Sequence, residues 1–333
     1  MKNKINFTVL VASLGNSNSI FDFLESLNNS GYFYRQDTEI IIVCGAQEEQ
    51  NIKKVEGAAK KYGARYFYDK RMTKPYCMNT GIKNARGNFI AFTDDDVIVT
   101  DKYWLEKFYA KFVENNKLGY VSGNVIGYNT ETTAANLWER KGGLSKGARK
   151  RYWSRKFLKS FKYNIFPWPL HKMCAGANCM ISMTALRRVG PYNVLLETPY
   201  IPHGSTLDIG YKIAKQGFEL LYDPDIYLYH KHPVNMTNIK NKLFNYGIGD
   251  TAVYMNFFVR FNDFRSLWWA LFGHACYTLK KIIKSLFGLY PLPITYLMYG
   301  LYGNVIGWIR FINVYFLKNG RTELNRSYKE FYE

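Results

Sequence analysis

Short apolar runs alternate with helix-like segments through the first third of the chain. The runs lie at residues 7–12, 39–44, 65–68 and 88–93, and apolar positions between them recur at helical spacing. Continuous apolar strands interleaved with helices predict a mostly parallel α/β sheet flanked by helices. Ligands of such sheets bind beyond the carboxyl ends of the strands, so candidate functional residues are expected there.

The same pattern continues, less regularly, to about residue 237. Residues 101–117 predict a helix, residues 118–128 a strand or strand pair, and residues 207–215 a helix that ends before Gly217. We therefore expect one α/β domain over residues 1–237.

Beyond residue 238 the composition shifts. Residues 285–309 contain no charged side chain, and about 20 apolar residues suffice to span a bilayer as a helix. However, Pro291 and Pro293 interrupt this run. Residues 266–279 are also uncharged, and three lysines follow them. The pattern predicts a helical, membrane-associating extension over residues 238–333, either interfacial or with one or two short hydrophobic segments. The alternative is an ordinary buried helical pair.

Composition excludes two classes of protein. A chain of 333 residues with 47% hydrophobic and 21% charged residues is not intrinsically disordered. Five cysteines are too few for a disulfide scaffold, and their odd number without a CxxC pair favours a reducing, intracellular setting. The N-terminal segment predicts a first strand rather than a signal peptide.

Charge is concentrated in the second part of the chain. The net charge is +19, and residues 131–333 carry 28 basic and 12 acidic side chains. Between Trp138 and Lys172, eleven Lys and Arg residues accompany Glu139 as the only acidic residue. Such a segment favours phosphate groups, on an anionic lipid or a phosphorylated substrate. A solvated basic loop is the alternative.

Three adjacent carboxylates follow the fourth apolar run. Asp94, Asp95 and Asp96 repel one another, and a bound cation would neutralise them. Hard divalent ions such as Mn²⁺ or Mg²⁺ take carboxylate oxygens and share their remaining sites with phosphate oxygens. The triplet therefore predicts a divalent metal site, with a solvated acidic turn or helix cap as the alternative.

The order and spacing of several motifs resemble family 2 glycosyltransferases of the GT-A fold, over roughly residues 5–235. The motifs are the turn at Ser13, the segment C-M-N-T-G-I-K-N-A-R-G at 77–87, the aspartate triplet, Gly176-Ala177-Asn178, Gly190-Pro191-Tyr192, Gly217, Asp223-Pro224, and His230 with His232. The resemblance implies a Rossmann-like sheet with a donor-binding half at 1–130 and an acceptor half at 131–237.

The resemblance also implies roles for individual residues. The donor would be a nucleotide-diphospho sugar bound with Mn²⁺ or Mg²⁺, which polarises the diphosphate. The implied donor contacts are Ala12, Ser13, Lys74, Asn79, Asp94 and Asp95; the implied metal ligands are Asp94, Asp96 and His230; the implied acceptor contacts are Trp168, Gly176, Ala177 and Asn178.

The catalytic base is where the chain departs from the family. Inverting transfer needs a base for the acceptor hydroxyl, and the family's Glu-Asp pair falls on Ser205-Thr206. Asp208, two residues later, is the predicted carboxylate base, although it could instead cap its helix. His203 is the second predicted catalytic residue, and Glu197 is a further substitute.

The basic segment and the aromatic C-terminal helices together favour a lipid-linked glycan or polyprenyl phosphate acceptor at an anionic membrane surface. We expect a hexosyltransferase at the cytoplasmic face of the cell membrane, without nucleic acid as a partner. One alternative is a sugar-1-phosphate nucleotidyltransferase, which the single Gly and missing basic residues of segment 12–17 disfavour. Another is a non-enzymatic basic protein that binds membrane or nucleic acid, which would not explain the aspartate triplet.

Overall fold

The computed structural model describes residues 5–128, 130–154, 162, 165, 167–231 and 235–333. His232 and part of the predicted basic segment, including Arg155, Lys156 and Lys159, therefore lie outside the described residues.

The first part of the chain forms the parallel half of a nine-stranded sheet. β1 pairs in parallel with both β2 and β4, and β2 pairs in parallel with β3. Every strand here is connected to the next by a helix, as the alternating pattern predicted. The elements are β1 (Phe7–Ser13), α1 (Ser19–Asn29), β2 (Thr38–Cys44), α2 (Glu49–Tyr62), β3 (Arg65–Tyr68), α3 (Lys74–Asn84) and β4 (Phe89–Asp94).

The predicted α/β sheet flanked by helices is confirmed, and its second half contains both parallel and antiparallel pairings. The elements are β5 (Val97–Ile98), α4 (Trp104–Glu114), β6 (Leu118–Tyr128), α5 (Thr133–Arg140), β7 (Arg151–Trp153), β8 (Asn178–Ser182), α6 (Met183–Val189), α7 (Ser205–Lys215) and β9 (Glu219–Lys231).

The strand order β3-β2-β1-β4-β8-β6-β9-β5 places β8 between β4 and β6. β8 is antiparallel to both neighbours, because it begins at Asn178, opposite Thr93 at the carboxyl end of β4. β9 runs parallel to β6, and the short strands β5 and β7 are antiparallel to β9. The loop before β8 is thereby held at the same edge as the aspartate triplet.

Helices make up the C-terminal region, namely α8 (Met236–Phe261), α9 (Phe264–Trp268), α10 (His274–Leu286), α11 (Ile294–Ile312) and α12 (Gly320–Tyr332). α8 and α11 approach closely at glycines. A Cβ atom at Gly303 would overlap the Phe244 carbonyl group, and one at Gly307 would lie 2.8 Å from the Ile248 carbonyl oxygen. Glycine is needed at such contacts because it has no side chain.

These helices share a hydrophobic core with the sheet. Val253 and Phe257 of α8 and Phe311 of α11 belong to the same buried cluster as Leu10 and Ile90. α12 folds back onto α3, where the Tyr76 hydroxyl donates to Glu323 at 2.8 Å. The boundary at residues 237 and 238 stays a prediction, since side chains from both parts fill one core. None of the helices in the described part of the chain has the length and apolar character to cross a bilayer.

Candidate active site

The three predicted metal ligands come together at the carboxyl edge of β4. Asp94 ends β4, and the turn after it leads into β5, which pairs with β9 so that Val97 lies opposite His230. His230 Nε2 is 3.2 Å from an oxygen of Asp96 and 3.9 Å from an oxygen of Asp94. One ligand atom from each residue lies within 4.8 Å of the others. This separation allows a single cation to contact all three.

The tautomer of His230 suits metal binding. Its Nδ1 lies 2.6 Å from the backbone carbonyl of Lys231, and a carbonyl can only accept a hydrogen bond. Nδ1 therefore carries a hydrogen, and in the neutral ring Nε2 presents its lone pair to the space beside the carboxylates. Burial opposes protonation of His230, but Asp94 and Asp96 outweigh it and raise its pKa. Two carboxylates and one imidazole form a donor set that fits Mn²⁺ or Mg²⁺.

The three aspartates differ in their surroundings. Lys74 Nζ donates to Asp94 at 2.6 Å, and despite burial Lys74 holds the pKa of Asp94 well below its usual range. Asp95 turns away and accepts a hydrogen bond from the Ser13 hydroxyl at 2.5 Å, while burial raises its pKa to about 6. Burial also raises the pKa of Asp96, whose side chain is 39% exposed. Asp94 and Asp96 thus approach His230, whereas Asp95 connects the turn to β1.

The predicted donor contacts on β1 and α3 lie beside this cluster. Ala12 stands opposite Asp94 in the β1–β4 register. Lys74, at the start of α3, contacts both Asp94 and Glu197, whose oxygen is 3.8 Å from Nζ. Glu197 has a positive φ of 52°, which is uncommon for a residue other than glycine. Lys74 is placed to meet an anion bound at the carboxylates.

Asn79 does not fit the predicted role in donor binding. Its side-chain NH₂ group donates to the Tyr192 carbonyl at 3.1 Å, and its oxygen accepts from the Tyr192 N–H at 2.7 Å. Both ends of the buried amide are therefore used inside the protein. Asn79 holds the turn at residues 190–192 against α3.

The predicted acceptor residues also have different roles in the structure. Asn178 is fully buried; its oxygen accepts from the Trp104 indole at 2.9 Å, and its NH₂ group donates to the carbonyls of Asn124 and Ile226. All its polar atoms have partners, so the prediction that Asn178 contacts the acceptor does not fit the structure. Ala177 is buried as well, and its carbonyl accepts from Thr93 at 2.8 Å.

Gly176 and Trp168 lie closer to open space. A Cβ atom at Gly176 would overlap the Thr206 hydroxyl, so this glycine allows the loop to pass directly over the start of α7. Trp168 stacks on Tyr211 with ring centroids 4.8 Å apart and lines a large cavity.

Asp208 does not fit the predicted role of catalytic base. Its side chain is fully buried, accepts from the Asn256 amide at 2.8 Å, and lies 3.4 Å from Lys212 Nζ and 3.8 Å from Arg260. A base must reach the acceptor hydroxyl, and this carboxylate is enclosed among its own cationic partners. Asp208 instead anchors α7 to α8.

His203, the second predicted catalytic residue, remains at an accessible position. Its imidazole Nε2 is 3.9 Å from an oxygen of Asp250, and its ring lies 4.7 Å from the ring of Tyr246. Both partners come from α8. Neither Asp250 nor Tyr246 belongs to a motif that stands out in the sequence.

One face of α8 borders the site. Lys242, Tyr246 and Asp250 are spaced by four residues and therefore share a helix face of about 12 Å length. Burial lowers the pKa of Lys242, against the attraction of Asp96 and Asp94. The four-residue spacing is visible in the sequence, but nothing in it indicates that this face meets the aspartate triplet.

Two cavities adjoin these residues. One, of about 490 Å³, is lined by Asp96, Lys231, Lys242 and asparagines of α8. The other, of about 630 Å³, is lined by Trp153, Trp168, Tyr254, Trp269, His274 and Asp250, among others.

The chain is similar to known proteins in sequence profile and in fold. The family described as "Glycosyl transferase family 2" matches residues 8–190, more than half of the chain. No curated protein matches it by sequence. A solved structure, the mannosyltransferase PcManGT from Pyrobaculum calidifontis in complex with GDP-Man and Mn²⁺, is similar over 92% of this chain and 87% of that chain. The TM-score is 0.60 and the sequence identity is 14%, so this likeness concerns the GT-A fold.

Proposed function

The chain belongs to glycosyl transferase family 2, and from this premise we propose that it transfers a hexose from a nucleotide-diphospho sugar in a reaction that depends on Mn²⁺ or Mg²⁺. The observation that carries the proposal is the convergence of Asp94, Asp96 and His230 within 4.8 Å, next to Lys74. A divalent cation held there would stabilise negative charge on the departing nucleotide. Lys74 would add its positive charge to the same diphosphate.

The donor proposal has support from the fold neighbour, which binds GDP-Man and Mn²⁺. GDP-mannose is therefore the first donor to test. We propose that transfer inverts the anomeric centre, with a base on the acceptor side of the sugar. Lys74 and Asp94 remain the proposed donor contacts. Ser13 does not, because its side chain is buried and its hydroxyl donates to Asp95 and accepts from the Gly15 N–H.

A panel of UDP-, GDP- and dTDP-sugars tests this function. We expect Mn²⁺-dependent release of nucleoside diphosphate from one of them, with a loss of release after chelation by EDTA. A sugar-1-phosphate nucleotidyltransferase would instead release pyrophosphate from a nucleoside triphosphate and a sugar phosphate. Absence of nucleoside diphosphate release across the whole panel, combined with no binding of Mn²⁺ and GDP or UDP, would contradict the proposal and favour a non-enzymatic role.

We also propose that the acceptor is a lipid-linked or other glycan presented at an anionic membrane, on its cytoplasmic face. Several apolar side chains of α10 and the loop after it are exposed, including Leu279, Ile283, Leu286 and Phe287. Lysines at 280, 281 and 284 lie on the same helix. Exposed apolar groups next to lysines are typical of helices at an anionic lipid surface.

Sedimentation with lipid vesicles tests the membrane proposal. We expect binding to vesicles that contain phosphatidylglycerol, weaker binding to pure phosphatidylcholine, and a loss of binding in the double variant Leu286→Asn, Phe287→Asn. Lys53→Gln, an exposed substitution on α2, is the control. Equal binding of the double variant and the wild-type protein would place the membrane contact elsewhere.

A further inference from the structure

The start of α7 lacks the carboxylate that the reaction needs. Ser205 and Thr206 occupy the positions where the family's acidic pair is expected, and Asp208 is enclosed by Lys212 and Arg260. Direct displacement with an acceptor hydroxyl requires a base within hydrogen-bond reach of that hydroxyl. Glu197, the further substitute, has a side chain only 13% exposed and lies 3.8 Å from Lys74 on the donor side. We therefore look for the base on another element that packs against the start of α7.

α8 is that element. A Cβ atom at Gly249 would lie 2.6 Å from the His203 carbonyl oxygen, so the absence of a side chain there lets α8 contact the loop that enters α7. The next residue, Asp250, has an oxygen 3.9 Å from His203 Nε2. Its side chain is 31% exposed, whereas that of Asp208 is fully buried. Asp250 thus brings an accessible carboxylate to the place where the chain's own α7 has none.

Asp250 also lies on the helix face that borders the metal site. Tyr246, one turn earlier, has its ring 4.7 Å from that of His203, and Lys242, two turns earlier, lines a cavity together with Asp96. A donor bound at the metal site and an acceptor next to Asp250 would meet along this face of α8.

The cavity that Asp250 lines has the chemistry of a carbohydrate site. Its volume of about 630 Å³ lies in the range of small-molecule pockets, and its walls include Trp153, Trp168, Trp269 and Tyr254. Aromatic rings offer flat apolar faces, and indole N–H groups normally find a hydrogen-bond partner when buried.

Basic side chains complete the wall of this cavity. Arg151, Lys162, His171 and Lys172 line it beside the aromatic residues. Their N–H groups can donate hydrogen bonds to the oxygens of a sugar.

We propose that this cavity binds a carbohydrate acceptor and that Asp250 is the general base. The inference rests on the proposed function. Asp250 accepts the proton of an acceptor hydroxyl while that oxygen forms a bond to the anomeric carbon of the donor. The bond from the anomeric carbon to the diphosphate breaks, and its electron pair leaves with the nucleoside diphosphate. His203 is a positioning residue that orients the Asp250 carboxylate.

Nucleoside diphosphate release with Mn²⁺ tests the role of Asp250. The variants are Asp250→Asn and Asp250→Glu, with Asp225→Asn, an exposed carboxylate of β9, as the matched control. We expect Asp250→Asn to lose about 10²- to 10⁴-fold in kcat. Asp250→Glu should retain part of the activity, and Asp225→Asn should match the wild-type protein. The stabilisation by Mn²⁺ and GDP should be equal in all of them, because the metal site is untouched.

The pH profile separates a base from a structural residue. Protonation of a base stops the reaction at low pH, so Asp250→Asn should remove the acid limb of the profile, while His203→Gln should keep it. Both variants are needed because several titratable groups face Asp250. These groups are His203, His171, His274, Lys146, Tyr246 and Tyr254.

Two outcomes distinguish this inference from the proposed function. If the wild-type protein turns over a sugar nucleotide and Asp250→Asn stays within threefold of it, the base assignment is overturned while the proposed function stands. If the wild-type protein neither turns over any donor nor binds Mn²⁺ with GDP or UDP, the proposed function fails, and the inference with it.

Tryptophan emission tests the contents of the cavity. Cellobiose and α-1,2-mannobiose are the carbohydrate probes, and inorganic phosphate is the competing probe. We expect a saturable change in emission with a disaccharide that is lost in Trp168→Phe. A phosphate oxygen is already ionised near pH 7 and needs no base. A response to phosphate alone, absent in Trp168→Phe, would therefore overturn both the carbohydrate assignment and the base.

Discussion

Two carboxylate regions of this molecule contain similar residues in opposite settings. At the end of β4, Asp94 and Asp96 face His230 and remain 25% and 39% exposed. On α7, Asp208 is fully buried and contacts Asn256, Lys212 and Arg260. The first region leaves carboxylate oxygens facing a cleft, whereas the second satisfies its charge within the protein.

The difference shows that the partners of a carboxylate decide its role more than its position in a motif. An open group of like charges is costly unless a cation joins it, so it favours ligand binding. A buried carboxylate with two cations is already neutralised, and removing one partner leaves uncompensated charge behind. The two regions should therefore respond in opposite ways to substitution.

Asp208→Ala should have the largest effect, and that effect should be on stability. We expect a loss of about 3–5 kcal/mol in the free energy of unfolding, because Lys212 and Arg260 would keep buried charges without their carboxylate. Urea denaturation measures it, with the exposed Asp225→Ala as control. Activity per folded molecule should stay within about threefold; a thousandfold loss with unchanged stability would restore Asp208 as the base.

Asp96→Ala should reverse this pattern. We expect donor turnover to fall by about 10²- to 10³-fold, since the variant loses a ligand of the group that stabilises the leaving diphosphate. The midpoint of urea unfolding without metal should not decrease, because a repulsive charge is removed. Steady-state kinetics with Mn²⁺ and the preferred sugar nucleotide measure the loss of turnover. Wild-type turnover in this variant would refute the metal role.

Stabilisation by bound Mn²⁺ and GDP gives the third contrast between the two carboxylate regions. Mn²⁺ with GDP, both at about one hundred times their dissociation constants, should stabilise the wild-type protein by about 2.7 kcal/mol or more. Asp96→Ala should lose this stabilisation, and Asp208→Ala should keep it on top of its lower baseline. Thermal unfolding with and without EDTA measures the shift. An equal shift in all three proteins would locate the cation away from the cluster.

Asn79→Ala should show the smallest effect. It tests whether Asn79 stabilises the fold, as Asp208 does, or binds the donor, as Asp96 is proposed to do. The variant loses two hydrogen bonds to the backbone of Tyr192, which should cost about 1–3 kcal/mol of stability. Its affinity for Mn²⁺ with GDP, measured by calorimetry, should equal that of the wild-type protein. A tenfold weaker affinity at unchanged stability would return Asn79 to the donor site.

Much of the first half of the fold follows from local pattern. The strands around Leu10, Ile41 and Ile90 are apolar on both faces, and such runs between helices lead to a parallel sheet. The direction of β8 does not follow in this way, because it depends on where the long preceding loop returns to the sheet. Likewise, β9 is one strand that continues through Asp223 and Pro224. A register shift at Gly123 and Asn124 of β6 accommodates the irregularity.

The candidate site, like the fold, can be predicted only in part from local sequence. The aspartate triplet is a local feature, because adjacent carboxylates after an apolar strand need a neutralising partner whatever the rest of the fold is. The fold of the solved mannosyltransferase structure also agrees with the predicted family. The burial and ion pairing of Asp208 depend on Lys212 and on Arg260, which is 52 residues further along the chain. The position of Asp250 depended on glycine contacts between α8 and the loop before α7.

An α/β sheet with an acidic edge can be predicted from the sequence alone, since strand periodicity and charge repulsion act over a few neighbouring residues. Which carboxylates stay open and which become enclosed is known only from the folded chain. Burial and ion pairing are set by residues distant in the chain, and their energies depend on contacts that no local pattern encodes.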